Sequence, residues 1–166
     1  MSAKVAVLMG SQSDLPKLKS TIETLQGLGI PHVVRVMSAH RTPAVVTDFA
    51  ENAAANGFEV LIAAAGGAAH LAGVVAAHTL LPVIGIPVEG GALNGLDALL
   101  ATVQMPGGIP VATVGIGRGG AQNAALLAAQ ILAIRDPELQ ARLQEFRAER
   151  SEKVRQADAE VHGATA

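Results

Sequence analysis

Apolar and polar positions change rhythm along this chain at regular intervals. Short apolar or β-branched runs at Val5–Met9, His32–Met37, Val60–Ala64, Val83–Pro87 and Val111–Val114 predict five strands. Between and after them, helical spacing covers Pro16–Leu28, Ala44–Asn56, Ala68–Leu80, Leu96–Val103, Ala121–Ile134 and Pro137–Val161. Strands that are apolar at nearly every position are buried on both faces. Alternating with helices, they predict a parallel sheet covered on two sides. The expected fold is α/β, a three-layer, doubly wound parallel sheet of flavodoxin-like order with an extended C-terminal helix. Gly29-Ile30-Pro31 and Asn56-Gly57 read as helix stops. With no internal repeat and no low-complexity linker, residues 1–166 are expected to form a single domain.

The last helical segment has a different texture. Leu139, Leu143 and Phe146 form a narrow apolar stripe among charged residues, and Asp136-Pro137 supplies an N-cap and a first-turn proline. Such a helix can lie on its own domain or on a neighbour. The expectation for residues 137–161 is packing on a neighbouring subunit.

Composition narrows the core and the partners. Half of the residues are apolar, yet there is no Trp or Tyr and only three Phe, so Ala, Val, Ile and Leu must build the interior. Few aromatics and a net charge of −2 argue against nucleic acid as a partner. The absence of Cys excludes disulfides and thiolate metal sites. The start, Met1-Ser2-Ala3-Lys4, does not read as a signal peptide. No apolar stretch reaches the ~18 residues of a membrane span, so the expected setting is cytoplasmic. Thirteen of the 26 charged residues fall between Arg135 and Glu160. The body is correspondingly charge-poor for a free monomer, which predicts a homo-oligomer.

Candidate chemistry concentrates at predicted strand ends, where open α/β sheets bind ligands. Ser38-Ala39-His40-Arg41-Thr42-Pro43 places an imidazole that can move protons beside a guanidinium that can hold an anion. Read as local structure, His40 is instead a histidine hydrogen-bonded at a strand end, and Arg41 a surface ion-pair partner. Gly10-Ser11-Gln12-Ser13-Asp14 offers backbone N–H groups and hydroxyls to an anion, with Asp14 better suited to sugar hydroxyls. The same residues also make an ordinary helix cap before Pro16. Ala65-Gly66-Gly67-Ala68-Ala69-His70 would admit a flat ring against the backbone, with His70 either touching the ligand or packing in a first helical turn. Gly115-Ile116-Gly117-Arg118-Gly119-Gly120 fits Gly-x-Gly-x-x-Gly, but no strand follows to carry the acidic partner, so it reads as a tight turn. Gln104-Met105-Pro106-Gly107-Gly108 could form part of a lid. His32, His78 and His162 have no partners at metal-ligand spacing, and no Walker loop or Gly-x-Ser-x-Gly elbow occurs.

These motifs occur in a familiar order. Gly10–Asp14, Ser38–Pro43, Ala65–Leu71, Val103–Pro106, Gly108–Val111 and Asn123–Leu132 together resemble the N(5)-carboxyaminoimidazole ribonucleotide mutases, the class I catalytic subunits of phosphoribosylaminoimidazole carboxylase. The resemblance runs from about Val5 to Leu143. It implies a cofactor-free and metal-free isomerase of de novo purine synthesis, forming 4-carboxy-5-aminoimidazole ribonucleotide through enclosed carbon dioxide. It also implies a homo-octamer with sites at subunit boundaries. In that scheme His40 is the general acid/base. The small-molecule ribonucleotide is bound by Ser11, Ser13, Asp14, Ser38, Ala39, Arg41, Gly66, Gly67, Ala68, His70 and Leu71, with Arg41 and the serines near phosphate and Asp14 near ribose. Related carboxylases that take free carbon dioxide typically carry Lys after this His, so Arg41 favours the mutase. Ala72, Val74, Gly90 and Ala98 depart from the common pattern, and the last two put a hydroxyl contact from that loop in doubt. The competing readings are a direct carboxylase and a non-catalytic flavodoxin-like nucleotide-binding module.

Overall fold

Val5, Val7 and Met9 point to one side of the first strand and Ala6 and Leu8 to the other, and all five are buried. In the computed structural model, which describes residues 4–165, this strand (β1, Val5–Met9) lies inside a five-stranded sheet. The other strands are β2 (His32–Val36), β3 (Val60–Gly66), β4 (Val83–Val88) and β5 (Ala112–Thr113). Every pairing is parallel and the order is β2-β1-β3-β4-β5, the doubly wound arrangement expected. The segment Met1-Ser2-Ala3, on which the signal-peptide reading falls, lies outside the described residues.

Helices cover both faces: α1 (Lys19–Gly27), α2 (Pro43–Asn52), α3 (Leu71–Ala77), α4 (Leu96–Val103), α5 (Gly117–Ala133) and α6 (Pro137–Thr165). On one face Val5, Val7, Ile62 and Ile84 pack with Leu25 of α1 and the alanines of α5. On the other, Ala6, Leu8, Leu61 and Ala63 pack with Val46 of α2 and Val75 of α3. Ala121, Ala124, Ala125, Ala128 and Ala129 are all buried at three- and four-residue spacing, so α5 presents a methyl-only stripe that sits close to the sheet. Gly85 performs the same service for α4, since a Cβ there would stand 2.4 Å from Thr102 Cγ2.

Element boundaries depart from expectation where local chemistry intervenes. The first helix is two pieces: a 3-10 segment over Gln12–Leu18 precedes α1. Ser11 Oγ caps it by accepting from Ser13 N at 3.3 Å. Ala68 does not open α3, which begins at Leu71 after the left-handed Gly67 (φ +60°). In contrast, α5 starts four positions before Ala121, drawing the glycine motif into its first turn. There Gly120 lies on Gly115 so closely that a Cβ would meet the Gly115 carbonyl oxygen at 1.5 Å. This glycine serves helix–loop contact.

The charged last helix is capped as read, with Leu139 N donating to Asp136 Oδ1 at 3.0 Å. Its early turns lie on the chain's own domain. Leu139 is buried, Leu143 packs on the core, and Arg142 Nε donates to the Leu28 carbonyl at 2.9 Å. From Ser151 to Ala164 every residue is exposed.

Candidate functional site

Parallel strands all end on the same edge of the sheet, and four of those ends build one cavity. After β1, the chain turns through Gly10 to Asp14, with Gly10 N bonded to the Ala64 carbonyl at 3.3 Å. After β2, Ser38–Thr42 closes on itself. Thr42 N donates to the Ser38 carbonyl at 2.9 Å, and Ser38 N donates to Thr42 Oγ1 at 2.9 Å. Ser38 Oγ accepts from His40 N (3.4 Å), Arg41 N (3.2 Å) and Arg41 Nε (3.4 Å). Its lone pairs are thereby used within the turn, and its own O–H remains to donate outward. Pro43 then starts α2 at a position that needs no N–H.

This turn fixes the His40 and Arg41 side chains. Arg41 reaches across to the β1 loop and donates through its terminal NH2 to the Gly10 carbonyl at 2.6 Å. His40 reaches the other way, its Nε2 standing 2.8 Å from Nδ1 of His70 beyond β3. The rings meet edge to face, with centroids 4.9 Å apart. Loops from β1, β2 and β3 are thus laced together by one arginine and one histidine pair.

The cavity they enclose has a volume of about 470 Å³. Its lining includes Ser11, Ser13 and Asp14 from the first loop, and Ser38, Ala39, His40 and Arg41 from the second. Gly66, Gly67, Ala68, His70 and Leu71 complete the third wall. Every residue expected to act as acid/base or to bind the ribonucleotide therefore faces one space. The glycines keep that wall flat: a Cβ on Gly66 would press on the Val88 carbonyl oxygen at 3.2 Å, and Gly67 holds a positive φ. Ser11 and Ser13 hydroxyls lie 2.8 Å apart. Burial pushes the Asp14 carboxyl above its ordinary value of 3.8, against the opposing pull of Lys17, a backbone hydrogen bond at Ser11 and Arg41.

Sequence reasoning missed the fourth wall. Lys17, Val88, Glu89, Gly91 and Asp97 also line the cavity, together with Gly90. Glu89–Gly91 follow β4, so the strand-end rule that found the other loops would have found them too. Lys17 was hidden because the expected α-helix gave no reason to place it with Asp14. Of the two departures flagged near this loop, Gly90 faces the cavity, whereas Ala98 is fully buried in α4 and does not. A larger space of about 580 Å³ adjoins on the far side of Lys17 and Glu89, toward Gly117 and Arg118, and contains no histidine. The expected lid segment Gln104–Gly108 lines neither space; Met105 instead rests against Gly73 of α3.

Comparison with known proteins bears on this constellation. The family model described as AIR carboxylase matches residues 4–153, nine-tenths of the chain and all four walls of the cavity. The chain belongs to the AIR carboxylase family. Among curated members, it is 55% identical over 154 residues to the N5-carboxyaminoimidazole ribonucleotide mutase of Brucella melitensis, covering 93% of this chain and 95% of that protein. It is 54% identical over 152 residues to the mutase of Escherichia coli K12, covering 92% and 90%. Among solved structures, Treponema denticola PurE superposes with a TM-score of 0.85 at 28% identity, covering 95% of this chain and 98% of that one. The five-stranded order and the long final helix are thus those of an AIR carboxylase family member.

Proposed function

We propose that this chain is a mutase of de novo purine biosynthesis. It converts N(5)-carboxyaminoimidazole ribonucleotide to 4-carboxy-5-aminoimidazole ribonucleotide. The observation that carries the reading is the convergence of His40, His70, Arg41 and Asp14 on one small-residue cavity in a chain 55% identical to curated mutases.

The chemistry follows from what each group can do. Protonated His40 gives its proton to the exocyclic nitrogen as the N–C bond breaks, leaving carbon dioxide and the aminoimidazole ribonucleotide. The electron-rich ring carbon then attacks the trapped carbon dioxide, forming the C–C bond. Neutral His40 removes the proton from that carbon and restores the aromatic ring. One proton is lent and returned, so a single imidazole suffices. His70 holds His40 through the 2.8 Å contact and orients its ring. Arg41 and the hydroxyls of Ser11, Ser13 and Ser38 receive the phosphate, and Asp14 accepts from the ribose hydroxyls. Ala39, Gly66, Gly67, Ala68 and Leu71 provide the flat apolar surface for the imidazole and exclude water from the carbon dioxide. No cofactor or metal is required by this scheme.

The working form is a cytoplasmic homo-octamer. Leu93, Leu96, Leu100 and Val103 expose an apolar stripe along and before α4, and the outer half of α6 is wholly exposed. Both features support burial against neighbouring subunits, as does the charge-poor body. Among the described residues, no helix is long and apolar enough to cross a membrane.

The test is substrate choice. Purified protein is incubated either with the N-carboxylated ribonucleotide or with the aminoimidazole ribonucleotide plus bicarbonate. Product from the first substrate at low bicarbonate supports the mutase. Comparable efficiency from the second overturns it in favour of the direct carboxylase.

A further inference from the structure

Ser11, Asp14 and Lys17 recur at three-residue spacing, and the segment Gln12–Leu18 is a 3-10 helix. In that geometry residues three apart eclipse one another, whereas in an α-helix they diverge by about 60°. Asp14 and Lys17 accordingly stack in one row, a carboxylate and then an ammonium, and Ser11, the N-cap before them, lines the same cavity. Lys17 stands at the end of the row, where the cavity opens toward the neighbouring space, and it lines both.

Its ammonium is already aimed across the rim. Lys17 Nζ donates to the backbone carbonyl of Glu89, bridging the loop after β1 to the loop after β4. An ammonium has three protons, so two remain for a ligand. The cavity's other cation, Arg41, is anchored at the opposite side, with Nε donating to Ser38 Oγ and a terminal nitrogen to the Gly10 carbonyl.

The local charges leave a place for that ammonium. Asp97 turns toward its own helix, its Oδ1 accepting from Ala98 N at 2.9 Å. The Glu89 carboxylate lies beside Gly117, at the start of α5, where helix N–H groups favour negative charge. Asp14 is the remaining carboxylate, with Lys17 and Arg41 as its cationic neighbours. A phosphomonoester brought beside Asp14 would meet repulsion unless a mobile cation stood between them. A lysine serves this purpose as a point charge on a flexible stem.

We propose that Lys17 is a further substrate-binding residue, whose ammonium receives the phosphate of the ribonucleotide at the cavity rim while tying the β4 loop to the 3-10 segment. This rests on the ribonucleotide reading above. It adds a cation that neither the motifs nor the family resemblance pointed to.

The test is calorimetric binding of 5-aminoimidazole ribonucleotide and of its nucleoside, which lacks only the phosphate. Lys17→Gln keeps an amide donor for the Glu89 carbonyl and removes the charge; Lys17→Arg keeps the charge. Lys17 is exposed, so neither variant threatens the fold. Lys19→Gln is the control, since Lys19 pairs with Glu23 at 3.6 Å and does not line the cavity. Loss of a charge-assisted contact predicts about tenfold weaker nucleotide binding for Lys17→Gln, with nucleoside affinity unchanged and substantial recovery in Lys17→Arg. Equal loss for nucleotide and nucleoside, or no loss for either, overturns the Lys17 assignment while leaving the ribonucleotide reading intact. Wild-type protein that binds neither ligand overturns both.

Discussion

Nε2 of His40 and Nδ1 of His70 stand 2.8 Å apart, brought together from the ends of two different strands. One of these nitrogens must donate and the other accept, so the tautomer of each ring is coupled to the other. In the proposed mechanism His70 is the positioning residue for His40.

Replacing His70 with Phe keeps an aromatic ring but removes the partner nitrogen. Turnover is expected to fall on the order of tenfold, as for the loss of one orienting hydrogen bond. The pH–rate profile should also change, because His40 loses the ring nitrogen that fixes its tautomer. A profile superimposable on wild type would mean that His70 only packs.

Asp14 carries its own stability signature. Burial raises its carboxyl above 3.8, so the folded state binds a proton more readily than the unfolded chain. That contribution is present below the ordinary carboxylate range and is lost as pH rises through the raised value. At neutral pH the ionised, half-buried carboxylate therefore costs stability. Asp14→Asn should raise Tm at pH 7, leave it nearly unchanged near pH 3, and weaken ribonucleotide binding. Thermal melts at the two pH values check the sign; a lower Tm at pH 7 contradicts it.

Gly119 and Gly120 are adjacent in α5 and should behave oppositely. A methyl on Gly120 collides with the Gly115 carbonyl, whereas nothing lies within 4 Å of one on Gly119. Gly120→Ala is expected to cost about 3 kcal/mol or more through forced backbone movement. Gly119→Ala should be neutral or stabilising by up to about 1 kcal/mol, since alanine is the better helix former. Denaturant melts of the pair decide this, and similar midpoints would refute the packing role of Gly120.

Much of this architecture is legible because strands buried on both faces need apolar residues at every position. Val5–Met9 is found to the residue for that reason. The four-residue displacement of the α5 start has an equally local cause. Glycine-rich sequence weighs against helix, but tertiary contact between Gly115 and Gly120 overrides propensity. The split of the first helix was hidden in the same way: Ser11 and Pro16 admit a 3-10 turn that apolar spacing alone does not reveal. That miss concealed Lys17. The small and polar residues at strand ends were legible because ligand sites need them there. The contact between His40 and His70 was not, since thirty positions separate them and only the pairing of both β2 and β3 with β1 brings their loops together.

In the proposed mechanism His40 carries the proton that moves the carboxyl group. The measurement that tests this most directly is turnover of N(5)-carboxyaminoimidazole ribonucleotide by wild type and His40→Asn, with ribonucleotide affinity measured alongside. Asparagine matches the imidazole roughly in size and polarity but cannot exchange a proton near neutrality. The expected result is a loss of about a thousandfold in turnover with ribonucleotide affinity little changed. Turnover within a few fold of wild type would contradict it.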